Sequence, residues 1–112
     1  MLHRENQIRK YHKSSAADLL NEVMKYYHVT QTDLASRIGI SQKNLSDILN
    51  KKRFVNEVVA LRIEKVMGIS SELLLNLDDN YKLHLAKHDQ YVVKNKKQSP
   101  LFLQRYDWVT NS

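Results

Sequence analysis

Apolar residues recur every three to four positions through most of the chain, the spacing of helices that each bury one face. Leu19, Leu20, Val23, Met24 and Tyr27 form the first such stripe, and Ser15 with Asp18 has the form of a capping box in front of it, which predicts a helix over 16–28. Thr30 can cap a second helix over 31–38, with Asp33 as reciprocal partner and Leu34, Ala35 and Ile38 turned inward. Ser41 can cap a third over 42–50, with Leu45, Ile48 and Leu49 apolar. Asn56 heads a fourth over 57–67, apolar at Val58, Leu61, Ile63, Val66 and Met67. Ser70 heads a fifth that runs to about residue 88, with Leu73, Leu74, Leu77, Tyr81 and Leu85 expected on its buried stripe. The two glycines, Gly39 and Gly68, fall where the second and fourth helices must stop, a position that favours positive φ. No convincing strand pattern precedes residue 90 and the connections are short. The predicted fold class is therefore all-α, a compact five-helix bundle.

The stretch 30–50 carries the strongest functional pattern. Two short helices meet at the tight turn Gly39-Ile40-Ser41, and Ala35 is small where they would cross closely. The second of them leaves Gln42, Lys43, Asn44, Ser46, Asp47 and Asn50 off its apolar stripe. Helix, glycine-containing turn, then a helix with a polar face is the pattern of a DNA-binding helix-turn-helix.

Charge agrees with that pattern. Of 112 residues, 18 are Lys or Arg and 12 are Asp or Glu, a net charge of +6 that favours a polyanionic partner. Residues 1–15 read as a basic arm, with Arg4, Arg9, Lys10 and Lys13 against Glu5 alone, able to add phosphate contacts without sequence information. Residues 16–88 hold the helical domain, and 89–112 form an extension of different character. There Tyr91-Val92-Val93 has β propensity and Lys94 to Lys97 is a polar basic break. After Pro100, the segment LFLQRYDWV is apolar and aromatic and holds the only tryptophan, Trp108. Such a segment would pack back on the bundle, serve a dimer contact or dock a partner protein.

Other classes find little support. Apolar runs fall far short of the roughly 20 residues needed to span a bilayer. The polar N-terminus lacks the apolar core of a signal peptide, so a cytoplasmic protein is expected. With no cysteine, disulfide scaffolds and thiolate zinc sites are excluded. His84 and His88 stand at i, i+4, a metal-ligand spacing, but only Asp89 is near to complete a site and there is no HExxH pattern. Asp78 and Asp79 are adjacent, would point different ways on a helix and make a poor catalytic pair. Neither an enzyme nor a cofactor or metal is expected.

Residues 16–75 resemble the Cro/lambda-repressor-like (XRE) helix-turn-helix family, whose "SQ-x-x-LA-x-x-(L/I)-G-(V/I)-S" core is closely matched by TQTDLASRIGIS. Within that family, residues 58–83 (VVALRIEKVMGISSELLLNLDDNYKL) are similar to the signature of HigA-type antitoxins. Ala60, Leu61, Arg62, Gly68, Ser70, Glu72, Leu75, Asn76, Leu77, Tyr81 and Leu83 stand in register. The chain departs from the pattern at three places. Lys51 stands where the family usually has Gly after the reading helix, so that turn must be made differently or with strain. Leu74 replaces a Trp, and Asp78 replaces the Gln after the LNL motif. The arm and the tail beyond about residue 88 lie outside the resemblance, which implies a lambda-repressor-like bundle with a C-terminal extension. It also implies repression of the chain's own operon and neutralisation of a RelE/HigB-like mRNA interferase toxin. A free-standing or phage-type repressor with no toxin is the alternative.

Residues near the N-terminus of a helix lying in the major groove reach base edges. Gln42, Lys43, Asn44 and Asp47 are accordingly the expected base-reading residues. Gln and Asn pair with adenine, Lys donates to guanine, and Asp accepts from cytosine. Gln31, Ser41, Asn50, Lys51, Lys52 and Arg53 are the expected phosphate contacts, the last three forming a basic run just past the reading helix. One such unit spans only a few base pairs, so a homodimer on a palindromic double-stranded operator is expected. By elimination, the fifth helix and the tail would supply the dimer contact.

Overall fold

A computed structural model describes residues 14–91 and 100–109, with side chains except at 88–91. Among these the chain forms five helices and no strand: α1 (Ala16–Tyr27), α2 (Gln31–Ile38), α3 (Gln42–Leu49), α4 (Glu57–Met67) and α5 (Ser71–Tyr91). The first 13 residues of the expected basic arm, and residues 92–99 with most of the β-prone and basic stretch, lie outside the described residues.

The core is one apolar cluster to which every helix contributes, including Leu20 and Met24 of α1, Leu34 and Ile38 of α2, Leu45 and Ile48 of α3, Ile63 of α4 and Leu74 of α5. Neighbouring helices pack as α1 on α3 and α5, α2 on α3 and α4, and α4 on α5. Ala35 is 2% exposed at the α2–α3 crossing, the close approach expected of a small residue there.

The stripes differ from the expected ones in register. Tyr27 is 67% exposed, because α1 ends at that residue and the chain reverses through His28 at φ 59°. The Val29 amide donates to the Met24 carbonyl at 2.8 Å, and Val29 takes the place on the core that Tyr27 would have had. On α4 the buried positions are Val59, Ala60 and Ile63, while Val58 and Leu61 face solvent. On α5 they are Leu74, Leu77 and Asp78, whereas Leu73 and Leu85 are exposed. Beyond Tyr81, α5 outruns the bundle, and residues 82–87 are all exposed. Tyr91 is helical and belongs to no strand.

Caps explain where the helices begin. Thr30 Oγ1 accepts from the Asp33 amide at 3.1 Å, Ser41 Oγ from the Asn44 amide at 3.0 Å, and Asn56 Oδ1 from the Val59 amide at 2.8 Å. Asp33 does not complete the expected capping box. Its carboxylate instead accepts from Arg37 Nε at 3.1 Å, one turn on along the same exposed face. Ahead of α1, the Ser15 amide donates to Asp18 Oδ2 at 2.9 Å, the reciprocal half of a box.

Candidate nucleic-acid interface

α3 is held from three directions. Its N-terminus is closed by the Ser41 cap, and its apolar face, Leu45, Ile48 and Leu49, is buried. At its C-terminal end Asn21 of α1 donates Nδ2 to the Leu49 carbonyl at 3.1 Å. The preceding turn is braced as well. Gly39 adopts φ 71°, and Arg62 of α4 donates Nη1 to the Ile38 carbonyl at 3.1 Å, leaving only 3.3 Å between that nitrogen and a Cβ at Gly39. A side chain at position 39 would thus meet both an unfavourable φ and a guanidinium.

This frame leaves Gln42 and Lys43 exposed, with Asn44 and Asp47 partly buried beside them. Lys43 Nζ lies 3.4 Å from Asp47 Oδ2, with the lysine side chain 83% exposed and the aspartate 20%. Lysine and aspartate, the charged residues of α3, therefore cancel. Gln31, the first residue of α2, is exposed. Asn50, expected inside the third helix, is instead its C-cap, and its amide donates to the Ser46 carbonyl at 2.9 Å.

The turn after α3 is made with strain. Lys51 takes φ 64°, the left-handed region that favours glycine. The Lys51 amide donates to the Ile48 carbonyl at 3.1 Å and the Lys52 amide to the Asp47 carbonyl at 2.8 Å, the paired bonds of a Schellman ending. The Lys51 ammonium points back into the molecule, 3.0 Å from Asp18 Oδ1 and 5.3 Å from the centre of the Tyr81 ring. Burial raises the Asp18 carboxyl pKa, but the Ser15 amide bond and the Lys51 ammonium outweigh it, so the group ends below its ordinary 3.8. Lys52 and Arg53 are exposed.

Sequence reasoning noted Asp78 only as a poor catalytic partner and a departure from the family pattern and missed its structural role; it is 3% exposed. Its Oδ1 accepts from the Ala16 amide at 2.8 Å and its Oδ2 from the Val55 amide at 2.9 Å, so one carboxylate closes the start of α1 and the approach to α4. The negative charge also suits the first turn of α1. Asn21 and Arg62 were missed as supports of the turn and the reading helix. The register of Arg62 in the family pattern was its one signal, and Asn21 had none.

Among the described residues no group of three or more His, Cys, Asp or Glu side chains is placed to hold a metal ion, and the His88 and Asp89 side chains lie outside them. No helix among the described residues is long and apolar enough to cross a membrane.

Residues 22–74 match the helix-turn-helix family model. No curated protein sequence matches the chain. Among solved structures the chain is similar to the antitoxin GraA, at 22% identity and a TM-score of 0.66 over 75% of this chain and 97% of that one. It is similar to an addiction module antidote protein of the HigA family from Coxiella burnetii, at 26% identity and a TM-score of 0.61 over 75% and 98%. The antitoxin HigA of Pseudomonas aeruginosa, solved with the higBA promoter, is 20% identical with a TM-score of 0.66 over 80% and 98%. Residues 22–74, from within α1 to the start of α5, thus match the helix-turn-helix model, on a fold similar to that of the antitoxin GraA and of HigA antitoxins.

Proposed function

We propose that the chain is a sequence-specific DNA-binding antitoxin that represses its own operon as a homodimer on a palindromic site and neutralises a RelE/HigB-like mRNA interferase. The observation that carries the DNA half is the exposure of Gln42 and Lys43 at the capped N-terminus of a helix whose other face is buried. Those side chains, with Asn44 and Asp47, read base edges. Gln31, Ser41, Asn50, Lys52 and Arg53 meet phosphates, and Lys51 serves chiefly to shape the loop that bears two of them. The antitoxin half is supported by the likeness to GraA and to HigA-family proteins, one of them solved with promoter DNA.

Co-purification with the product of the neighbouring gene, followed by a gel shift on the DNA upstream, tests both halves. A retained toxin and a sequence-selective shift are the expected results. A shift with no toxin partner would leave a free-standing repressor, and the absence of any shift would remove the DNA reading.

A further inference from the structure

The loop between α3 and α4 is strapped to α5 at both ends and in the middle. At its start, the Lys51 ammonium sits 5.3 Å over the Tyr81 ring. In the middle, the Phe54 ring lies 6.3 Å from the Tyr81 ring at 58°, and Lys82 Nζ sits 4.8 Å over Phe54. At its end, the Val55 amide is bound by Asp78. Two lysines thus flank a pair of rings in the row Lys51, Tyr81, Phe54, Lys82, with Tyr81 touching two members of the row. Lys52 and Arg53 lie between these anchors and are themselves exposed.

We infer that Tyr81 is a positioning residue for DNA binding, its ring fixing the 51–54 loop so that Lys52 and Arg53 are held ready for the phosphate backbone. The inference rests on the DNA reading proposed above. A cation is drawn to the face of an aromatic ring by its quadrupole, which an aliphatic side chain of similar bulk does not supply. A loop held in its bound geometry loses less freedom on association than a loose one. Tyr81 itself lies on α5, away from the reading helix, so its effect passes through the loop and carries no base information.

The test uses the full chain and a short mixed-sequence B-form duplex, with affinity followed against salt concentration. Each neutralised phosphate contributes about 0.9 to the slope of log affinity on log salt. Tyr81→Leu is expected to flatten the slope by about 0.9–1.8, the share of one or two phosphates, while Tyr81→Phe keeps the wild-type slope. If Tyr81→Leu loses helical circular dichroism at the assay temperature, Tyr81→Met is read in its place. Lys52→Ala runs alongside. If Lys52→Ala flattens the slope and the aliphatic Tyr81 variant does not, the positioning role is overturned and the phosphate assignment stands. If Lys52→Ala changes nothing, both fall together. A Tyr81→Phe variant as defective as Tyr81→Leu would also overturn the inference, since the hydroxyl rather than the ring face would then be at work.

Discussion

At Lys51 a strained backbone and two favourable side-chain contacts oppose each other at similar magnitude. A left-handed conformation costs a non-glycine residue about 1–2 kcal/mol. The partly exposed ion pair with Asp18 offsets about 0.2–1 kcal/mol, and the cation–π contact with Tyr81 about 0.5–1 kcal/mol. Lys51→Gly should therefore change unfolding free energy by less than about 1 kcal/mol, whereas Lys51→Ala keeps the strain, loses both contacts and should destabilise by about 1–2 kcal/mol. Urea denaturation of the two variants measures the contrast. The Asp18 carboxylate also sets a pH dependence, through the Ser15 amide bond first and the Lys51 ammonium second. Because the Asp18 pKa is depressed in the folded state, its contribution is present above the ordinary value of 3.8 and is lost as pH falls through the lower, folded value. Stability lost by the wild type below about pH 4 should be smaller in Asp18→Asn, as followed by thermal melts across pH.

Among the elements, α3 combines a rigid seat with a nearly neutral face, so in the proposed function selectivity and attraction fall to different parts of the chain. Lys43→Ala should relax preference at one base position by about 1–3 kcal/mol, measured by competition with single-substituted sites. Binding that stays equally selective would move the reading face elsewhere. The helices themselves were legible because their caps and stops are short-range chemistry. Thr30, Ser41 and Asn56 each bond an amide three residues on, and α2 and α4 have the predicted ends. Which residues of α4 and α5 are buried was less legible, because both helices carry apolar residues around more than half their circumference. Val58 or Val59, and Leu73 or Leu74, are equally apolar in sequence, and only the position of the neighbouring helix chooses between them. The exposed polar face of α3 was foreseen, but the supports behind it were not. Asn21 reaches Leu49 across 28 positions and Arg62 reaches Ile38 across 24, pairings that no local pattern encodes.

Over the whole molecule, Asp78 is the polar residue on which the arrangement of three helices turns. It leaves α5 to bind the first amide of α1 and the residue before the α4 cap, 62 and 23 positions away. Removing a partner from a buried donor costs about 1–3 kcal/mol, and Asp78→Ala strands two such donors, so a loss of about 2–6 kcal/mol in unfolding free energy is expected. Asp78→Asn, which keeps one accepting oxygen, should lose less; equal losses in chemical denaturation would show that hydrogen bonding is not what the carboxylate provides. The position that breaks the family's sequence pattern after LNL is thus a structural keystone of this chain. The tail contrasts with this tied centre. Leu101, Leu103, Tyr106 and Trp108 are each at least 65% exposed, and packing onto the bundle, one of three expected roles, is not what these residues do.

The stacking of Trp108 on Tyr106, at 4.4 Å and 12°, has a practical consequence for spectroscopy. The chain has a single indole, and it is 75% exposed on the tail, outside the core. Its fluorescence is therefore a beacon for the extension and blind to the bundle. Emission selected for tryptophan should barely change through the urea transition that abolishes the helical dichroism. A blue shift when a second protein is added would report that the tail has found its cover.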